Sequence, residues 1–548
     1  MKTILKHTFH ILTAHERRRM AWLAVADVVI SVLDIALLAL VVLLVNYYTG
    51  SVFDQVWLGS LVVRQGLWGL LMLFVLFLLK NLAGYFVHKA RFHFAYNVAA
   101  RLSEKNLLQY LQGTYHDYVN KDSAIHIRRI NQQPVEFCHY ILAGIQQIFT
   151  EAVMIVLAIT AIVAYDAKLF VLLCIVLLPP LAMLWFYTKS KLGSVRAHIK
   201  TSSEQALQHL KEALGGYVES NVYEANSFFT NRYSGRQLTL NRYLAELQST
   251  QALPARMMEI FAVIGLILLV FLEELGVGPN YVTVINIGAF MAAAYKIIPG
   301  LVKILNLSSQ VKTYAFTAKD LDHNKQGEFS QHAMEVSSIA FRNVSFSYDD
   351  KQVLENINFE TRGGELIGLS GLSGRGKTTL FNLMLGFLEP VNGDILINND
   401  HSSTAERQLL RRNIGYVKQQ PFLVHDSILT NITLNEHAYD EPRLQQAVKD
   451  AGLDALVAQL PDGLHTIIAE NGKNISGGQR QRIAFARALY KDANVLLMDE
   501  PFNELDEASE EKLLQHVRCL AQKGKLVMLV THNTKSLSYC NKIISLDA

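Results

Sequence analysis

Cysteine is scarce. The 548 residues contain four, Cys138, Cys174, Cys519 and Cys540, widely scattered and without a CxxC pair. That excludes a disulfide framework and a thiolate zinc site, and leaves the four to be read as small buried hydrophobes. Charge is scarce too: 18% of residues are Asp, Glu, Lys or Arg, and the net charge is only +3. The basic residues form loop clusters with no continuous tract, so nucleic acid is not expected as a partner. The first twenty residues are basic and amphipathic but lack a short apolar core followed by a small-residue cleavage site. They read as an interfacial helix, not a cleaved signal peptide.

What is abundant is apolar sequence, 51% of the chain, with a positive mean hydropathy. A chain of this length and composition predicts two compartments of different chemistry, one of them in a membrane. Apolar stretches fall at Ala21–Tyr48, Leu67–Val87, Ile141–Tyr165, Leu169–Tyr187, Met257–Leu272 and Tyr281–Leu305, most of them approaching the roughly 20 residues needed to cross the hydrocarbon core. Six spans are predicted. Pro179, Pro180 and Pro299 are expected to kink the fourth and sixth. Lys and Arg cluster before the first span (Lys2, Lys6, Arg17–Arg19), after the second (Lys89, Arg91, Arg101, Lys105) and after the fourth (Lys189, Lys191, Arg196, Lys200). Those three regions therefore face the cytosol, and six spans return the C-terminal half to the same side. The long connections Lys89–Glu136 and Lys189–Thr250 carry helical periodicity, with breaks near Gly113–Asn120 and Gly215–Tyr223 where short surface helices could touch a neighbouring domain.

From Met334 onward the pattern changes to short apolar strands alternating with helices. The strand Glu365–Ser370 runs straight into Gly371-Leu372-Ser373-Gly374-Arg375-Gly376-Lys377-Thr378, a full GxxxxGK[ST] loop followed by Thr379. Its glycines let main-chain N–H groups turn inward around phosphate, Lys377 reaches the outer phosphates, and Thr378 offers a hydroxyl to Mg²⁺. A second strand, Val495–Met498, ends in Asp499-Glu500. Asp499 suits the holding of Mg²⁺, and Glu500 is placed to polarise the attacking water. A third, Lys525–Val530, delivers Thr531-His532, with His532 at the height of a terminal phosphate. Between them, Ser476-Gly477-Gly478-Gln479 opens a basic helix, a second anion-binding helix terminus in one domain.

These motifs together resemble the nucleotide-binding cassette of an ABC transporter. The resemblance implies that Ser476, Gly477, Gly478 and Gln479 complete the ATP site of a second cassette, so the working unit is two copies, or a heterodimer with a different half. It also implies that Tyr348 stacks on adenine, that Gln419 joins Thr378 and Asp499 around Mg²⁺, that Asp506 ends the D-loop, and that Glu500 and His532 are the catalytic pair. Ile475 and the run Pro501-Phe502-Asn503-Glu504-Leu505-Asp506 depart from the usual exporter versions. Six spans fused ahead of one cassette resemble an exporter half-transporter. The implied fold is an all-α six-helix transmembrane domain (1–319), a linker (320–333) and a cytosolic α/β P-loop NTPase cassette (334–548), with a bacterial inner membrane as its location.

Segments around Leu253-Pro254, Tyr295–Pro299 and Thr150-Glu151 are similar to lipid-linked oligosaccharide flippases. Lys80, Arg256 and Lys296 lie in or beside spans, where ions are costly enough to be functional. They are read as a cationic lining for an anionic, lipid-like cargo, or else as cations paired with Asp27, Asp34, Glu151 or Glu259. The expectation is ATP-driven export or flipping of an amphipathic substrate. The alternatives are export of a small or modified peptide, or an ATPase that regulates a partner without transport.

Overall fold

The structure is a computed structural model that describes residues 2–48, 67–165, 167–274, 284–322, 335–349, 351–372, 374–435 and 438–547. It divides into two compact units, Met1–Gly113 with Tyr118–Gln326, and Thr114–Asp117 with Gly327–Ala548.

The first unit is helical. Its long helices, Ala14–Tyr48, Leu67–Leu111, Ala143–Tyr165, Ala167–Gly215, Asn226–Glu274 and Val284–Thr313, carry the six apolar stretches; Tyr281–Thr283, the expected start of the sixth, lies outside the described residues. Among the described residues, Ala14–Leu37, Leu71–Leu111 and Ser123–Val163 are long and apolar enough to cross a membrane. Phe74, Leu79 and Phe86 point outward on the second of these, as expected of a helix whose solvent is hydrocarbon. The 45 residues of Leu67–Leu111 make a rod about 68 Å long at 1.5 Å per residue. That is about twice the hydrocarbon thickness, so the helix continues well beyond the membrane. Short helices, Tyr115–Asn120 and Tyr217–Val222, stand at the two expected breaks. Pro179, Pro180 and Pro299 lie inside continuous helices.

Several features of this unit are not foreshadowed by periodicity. Two π-helical turns, Arg128–Gln132 and Phe137–Leu142, flank Pro134, whose missing N–H interrupts the regular ladder. Arg128 there is fully buried between Glu136 (3.0 Å) and Glu204 (3.5 Å). Its guanidinium carbon also lies 5.1 Å from the ring centre of Phe316. The N-terminal helix Lys2–Ile11 is amphipathic as expected, and the buried Leu12 that follows it packs in a core with Phe94, Val98, Phe137, Ile141 and Tyr314. The closing helix runs to Asp322, with Asp320 held by Lys200 at 2.7 Å.

The second unit is α/β. Its parallel sheet has the spatial order Lys542–Ser545, Leu366–Ser370, Leu526–Val530, Val495–Asp499, Ile414–Val417. The two central strands, Leu526–Val530 and Val495–Asp499, are buried at every residue, which is why they read as unbroken apolar runs. Alternate side chains enter opposite cores: Leu366 and Leu529 one, Ile367 and Met528 the other. An antiparallel sheet, Lys351–Arg362, Ser338–Tyr348, Asn392–Ile397 and Asp400–His401, adds to the second core. Also in this unit, the rings of Tyr115 and Phe387 lie 4.9 Å apart, with Arg411 over Phe387. All four cysteines are free; Cys138 is buried as expected, whereas Cys519 is exposed on the outer face of Glu507–Gln522.

Candidate functional site

Four neighbouring parallel strands release their chemistry at one edge, the carboxyl end, where α/β sheets hold ligands. Leu366–Ser370 leads into the phosphate loop. Gly374 and Gly376 have φ of +84° and +90°, left-handed values that aim their N–H groups into the loop. At Gly376 a Cβ would also come 2.7 Å from Leu354 Cδ2, so only glycine fits. Ser373 lies outside the described residues. Gly371 bends the chain out of the strand, and Lys377 and Thr379 are buried at the start of the helix Lys377–Met384. The Lys377 ammonium donates to the Gly371 carbonyl (2.6 Å) and lies 2.9 Å from His532 Nε2.

Thr378 Oγ1 donates to Asp499 Oδ2 at 2.9 Å. Burial pushes the Asp499 carboxyl above its ordinary range, opposed by that hydrogen bond and by Lys377. A hydroxyl and a carboxylate brought together at the head of the loop are hard oxygen donors that fit Mg²⁺. Among the described residues no three His, Cys, Asp or Glu side chains converge, so such an ion would complete its shell from phosphate oxygens and water.

Glu500 is 8% exposed and has φ of +46°, an uncommon value for a residue with a side chain. Its N–H donates to the Val530 carbonyl (3.0 Å), fixing the turn to the adjacent strand. One carboxylate oxygen accepts from Gln419 Nε2 (2.7 Å) and Asn503 Nδ2 (2.6 Å). The other lies 3.0 Å from His532 Nε2. That ring nitrogen therefore stands between an ammonium and a carboxylate, and it can serve only one at a time: bare, it accepts from Lys377; protonated, it donates to Glu500. Gln419 is thus engaged through its amide nitrogen, and its oxygen is the atom left for a cation.

Tyr348 ends the strand Ser338–Tyr348, 43% exposed and edge-on to Phe346, so its ring has a free face. Ser476 and Gln479 cap the helix Gly477–Tyr490 reciprocally: Gln479 N–H donates to Ser476 Oγ, and Ser476 N–H to Gln479 Oε1. Asp506 caps Glu507–Gln522 and is held below the ordinary carboxylate range by its bonds from Ser509. Sequence reasoning missed Asn503 as a partner of Glu500; the only signal was the unusual run after Glu500.

The cationic residues of the first unit are placed differently from one another. Lys80 is ion-paired with Asp34 and nearly buried. Arg256 pairs with Glu259, and both are exposed. The Lys296 side chain lies outside the described residues. For Lys80 and Arg256 the geometry is that of pairing, the second of the two readings. Sequence reasoning also missed two pairs near the expected cytosolic span ends, Arg91 with Asp27 (3.3 Å) and Lys303 with Glu151 (2.5 Å).

Residues 354–503 match the family described as ABC transporter. That stretch is an ABC transporter cassette. The chain shares its fold with a solved bacterial Atm1-family ABC exporter with ATP bound, which superposes with a TM-score of 0.79, covering 97% of this chain and 95% of that one at 19% identity. Among curated relatives, the ATP-dependent lipid A-core flippase of Ralstonia nicotianae is 28% identical over 74% of this chain and 70% of its own length. Those of Burkholderia orbicola and Neisseria gonorrhoeae are each 29% identical, over 69% and 73% of this chain and 65% of their own length. The cassette is an ATPase domain, and the residues its geometry brings together are Lys377, Thr378, Asp499, Glu500, Gln419 and His532.

Proposed function

We propose that two copies of this chain, in a bacterial inner membrane, hydrolyse MgATP to flip an amphipathic lipid-like molecule with an anionic headgroup from the cytosolic leaflet. The observation that carries the ATPase part is Glu500: a buried carboxylate beside Asp499, oriented by three side chains at the mouth of the phosphate loop. The similarity to lipid A-core flippases supports the class of cargo.

Main-chain N–H groups of Gly374 to Lys377, with the Lys377 ammonium, bind the phosphates and offset their charge. Mg²⁺, held by Thr378 and Asp499 with the Gln419 oxygen near, would neutralise phosphate oxygens. Glu500 accepts a hydrogen bond from the attacking water and raises its nucleophilicity. As phosphate takes the place between Lys377 and Glu500, His532 turns its Nε2 to a terminal oxygen. Ser476–Gln479 of the partner cassette closes the other side of the nucleotide. In this account residues 1–319 form the transmembrane domain, 320–333 the linker and 334–548 the cassette.

The test is reconstitution into liposomes carrying a fluorescent phospholipid with a phosphate headgroup. ATP-dependent loss of probe from one leaflet, abolished by Glu500→Gln, is expected. Hydrolysis without movement of lipid would instead identify a regulatory ATPase, and ATP-dependent uptake of peptide without lipid movement would assign the cargo to peptides.

A further inference from the structure

The run Asn503-Glu504-Leu505 departs from the exporter pattern, and its middle residue has a place that no role above uses. The Glu504 N–H donates to Gln481 Oε1 (3.1 Å), and Gln481 is buried in the helix Gly477–Tyr490, the signature helix, whose first turn at Ser476–Gln479 is the signature turn. The loop is therefore seated on that helix. At Gly478 a Cβ would meet Leu505 Cδ2 at 2.8 Å and the Glu504 carbonyl at 3.0 Å. The Glu504 carboxylate occupies the space that a Cβ on Gly477 would fill, and Arg480 Nη2 lies 3.4 Å from it. A negative group thus lies beside the first turn of the 14-residue helix Gly477–Tyr490, against Gly477 and Arg480. That is the end whose dipole is positive.

We propose that Glu504 is an internal anionic placeholder: its carboxylate lies against the signature turn and must swing aside before the terminal phosphate of an ATP held by the partner cassette docks there. The inference rests on the reading of the chain as a two-cassette ATPase. Two anions cannot share one helix terminus, so the carboxylate competes with the phosphate and raises the ATP concentration at which the cassettes close. It is half-exposed, leaving it free to leave. A charge at a helix N-terminus is worth enough to shift that concentration about two- to fivefold.

The experiment measures ATP hydrolysis against ATP concentration for the full chain in nanodiscs, comparing wild type with Glu504→Gln and Glu504→Ala. Both variants are expected to reach half-maximal rate at about two- to fivefold lower ATP, and the gap between wild type and Glu504→Gln should narrow as salt screens the carboxylate. Nucleotide trapping by Glu500→Gln alone and with Glu504→Gln reads the same shift without turnover. Half-saturation in the variants equal to or above that of an active wild type overturns the placeholder and leaves the ATPase reading standing. A wild type that hydrolyses no ATP removes both.

Discussion

Replacing Asn503 with alanine removes the 2.6 Å hydrogen bond to Glu500 while leaving Gln419 (2.7 Å) and His532 (3.0 Å) in place. A hydrogen bond to an ionised group contributes about 1.5–3 kcal/mol. Asn503 is itself exposed, so water can take over part of that role, and roughly 1–1.5 kcal/mol of orientation is lost. Expressed in the chemical step, this is a fall of about five- to twelvefold in kcat, with the KM for ATP nearly unchanged because Asn503 is bonded to Glu500 and not to the phosphate loop. Asn503→Asp should be worse, since it sets a second carboxylate against Glu500 and raises the affinity of the pair for a proton. The assay is steady-state ATP hydrolysis by purified full chain, with thermal unfolding to confirm that both variants fold. Rates within about twofold of wild type for both would refute the claim that Asn503 positions Glu500.

Other consequences follow from the same geometry. Arg407, 2% exposed, donates to the Ser402 carbonyl and to Thr404 Oγ1 (3.1 Å); Arg407→Ala orphans these acceptors and should destabilise the cassette by about 2–4 kcal/mol, seen as a lower melting temperature. If Lys80 serves Asp34 and not a cargo, Lys80→Met with Asp34→Leu should restore the folded yield lost in either single variant; additive losses would contradict pairing. Glu406 is held below the ordinary carboxylate range by the Ser403 N–H and then the Ser403 hydroxyl. Its folded value lies below its unfolded one, so its contribution is complete at neutral pH and disappears as pH falls through the folded value. The difference in melting temperature between wild type and Glu406→Gln should therefore be full at neutral pH and vanish only below about pH 4.

The nucleotide site was legible because each part is local. The phosphate loop is one contiguous motif, and Asp499, Glu500 and His532 each end an apolar strand whose burial makes it readable. Their convergence followed from the rule that parallel strands open at one edge. The features that escaped depend on partners distant in sequence or on backbone angles. Nothing in the residues around Glu500 announces φ of +46°, and Asp34, 46 positions from Lys80, was legible only as one of four possible partners for the cations. The burial of Arg128 runs against its composition and arises only because Glu136, Glu204 and Phe316 surround it. The π-helical turns flanking Pro134 escaped for a similar reason, since a periodicity argument assumes a regular ladder.

The most direct measurement of the central claim is lipid flipping and ATP hydrolysis followed in the same proteoliposomes. The account predicts that a phosphate-headgroup lipid is moved only with ATP, and that Glu500→Gln stops movement and hydrolysis together while retaining bound nucleotide. Normal hydrolysis by Glu500→Gln, or lipid movement that continues without ATP, would contradict it.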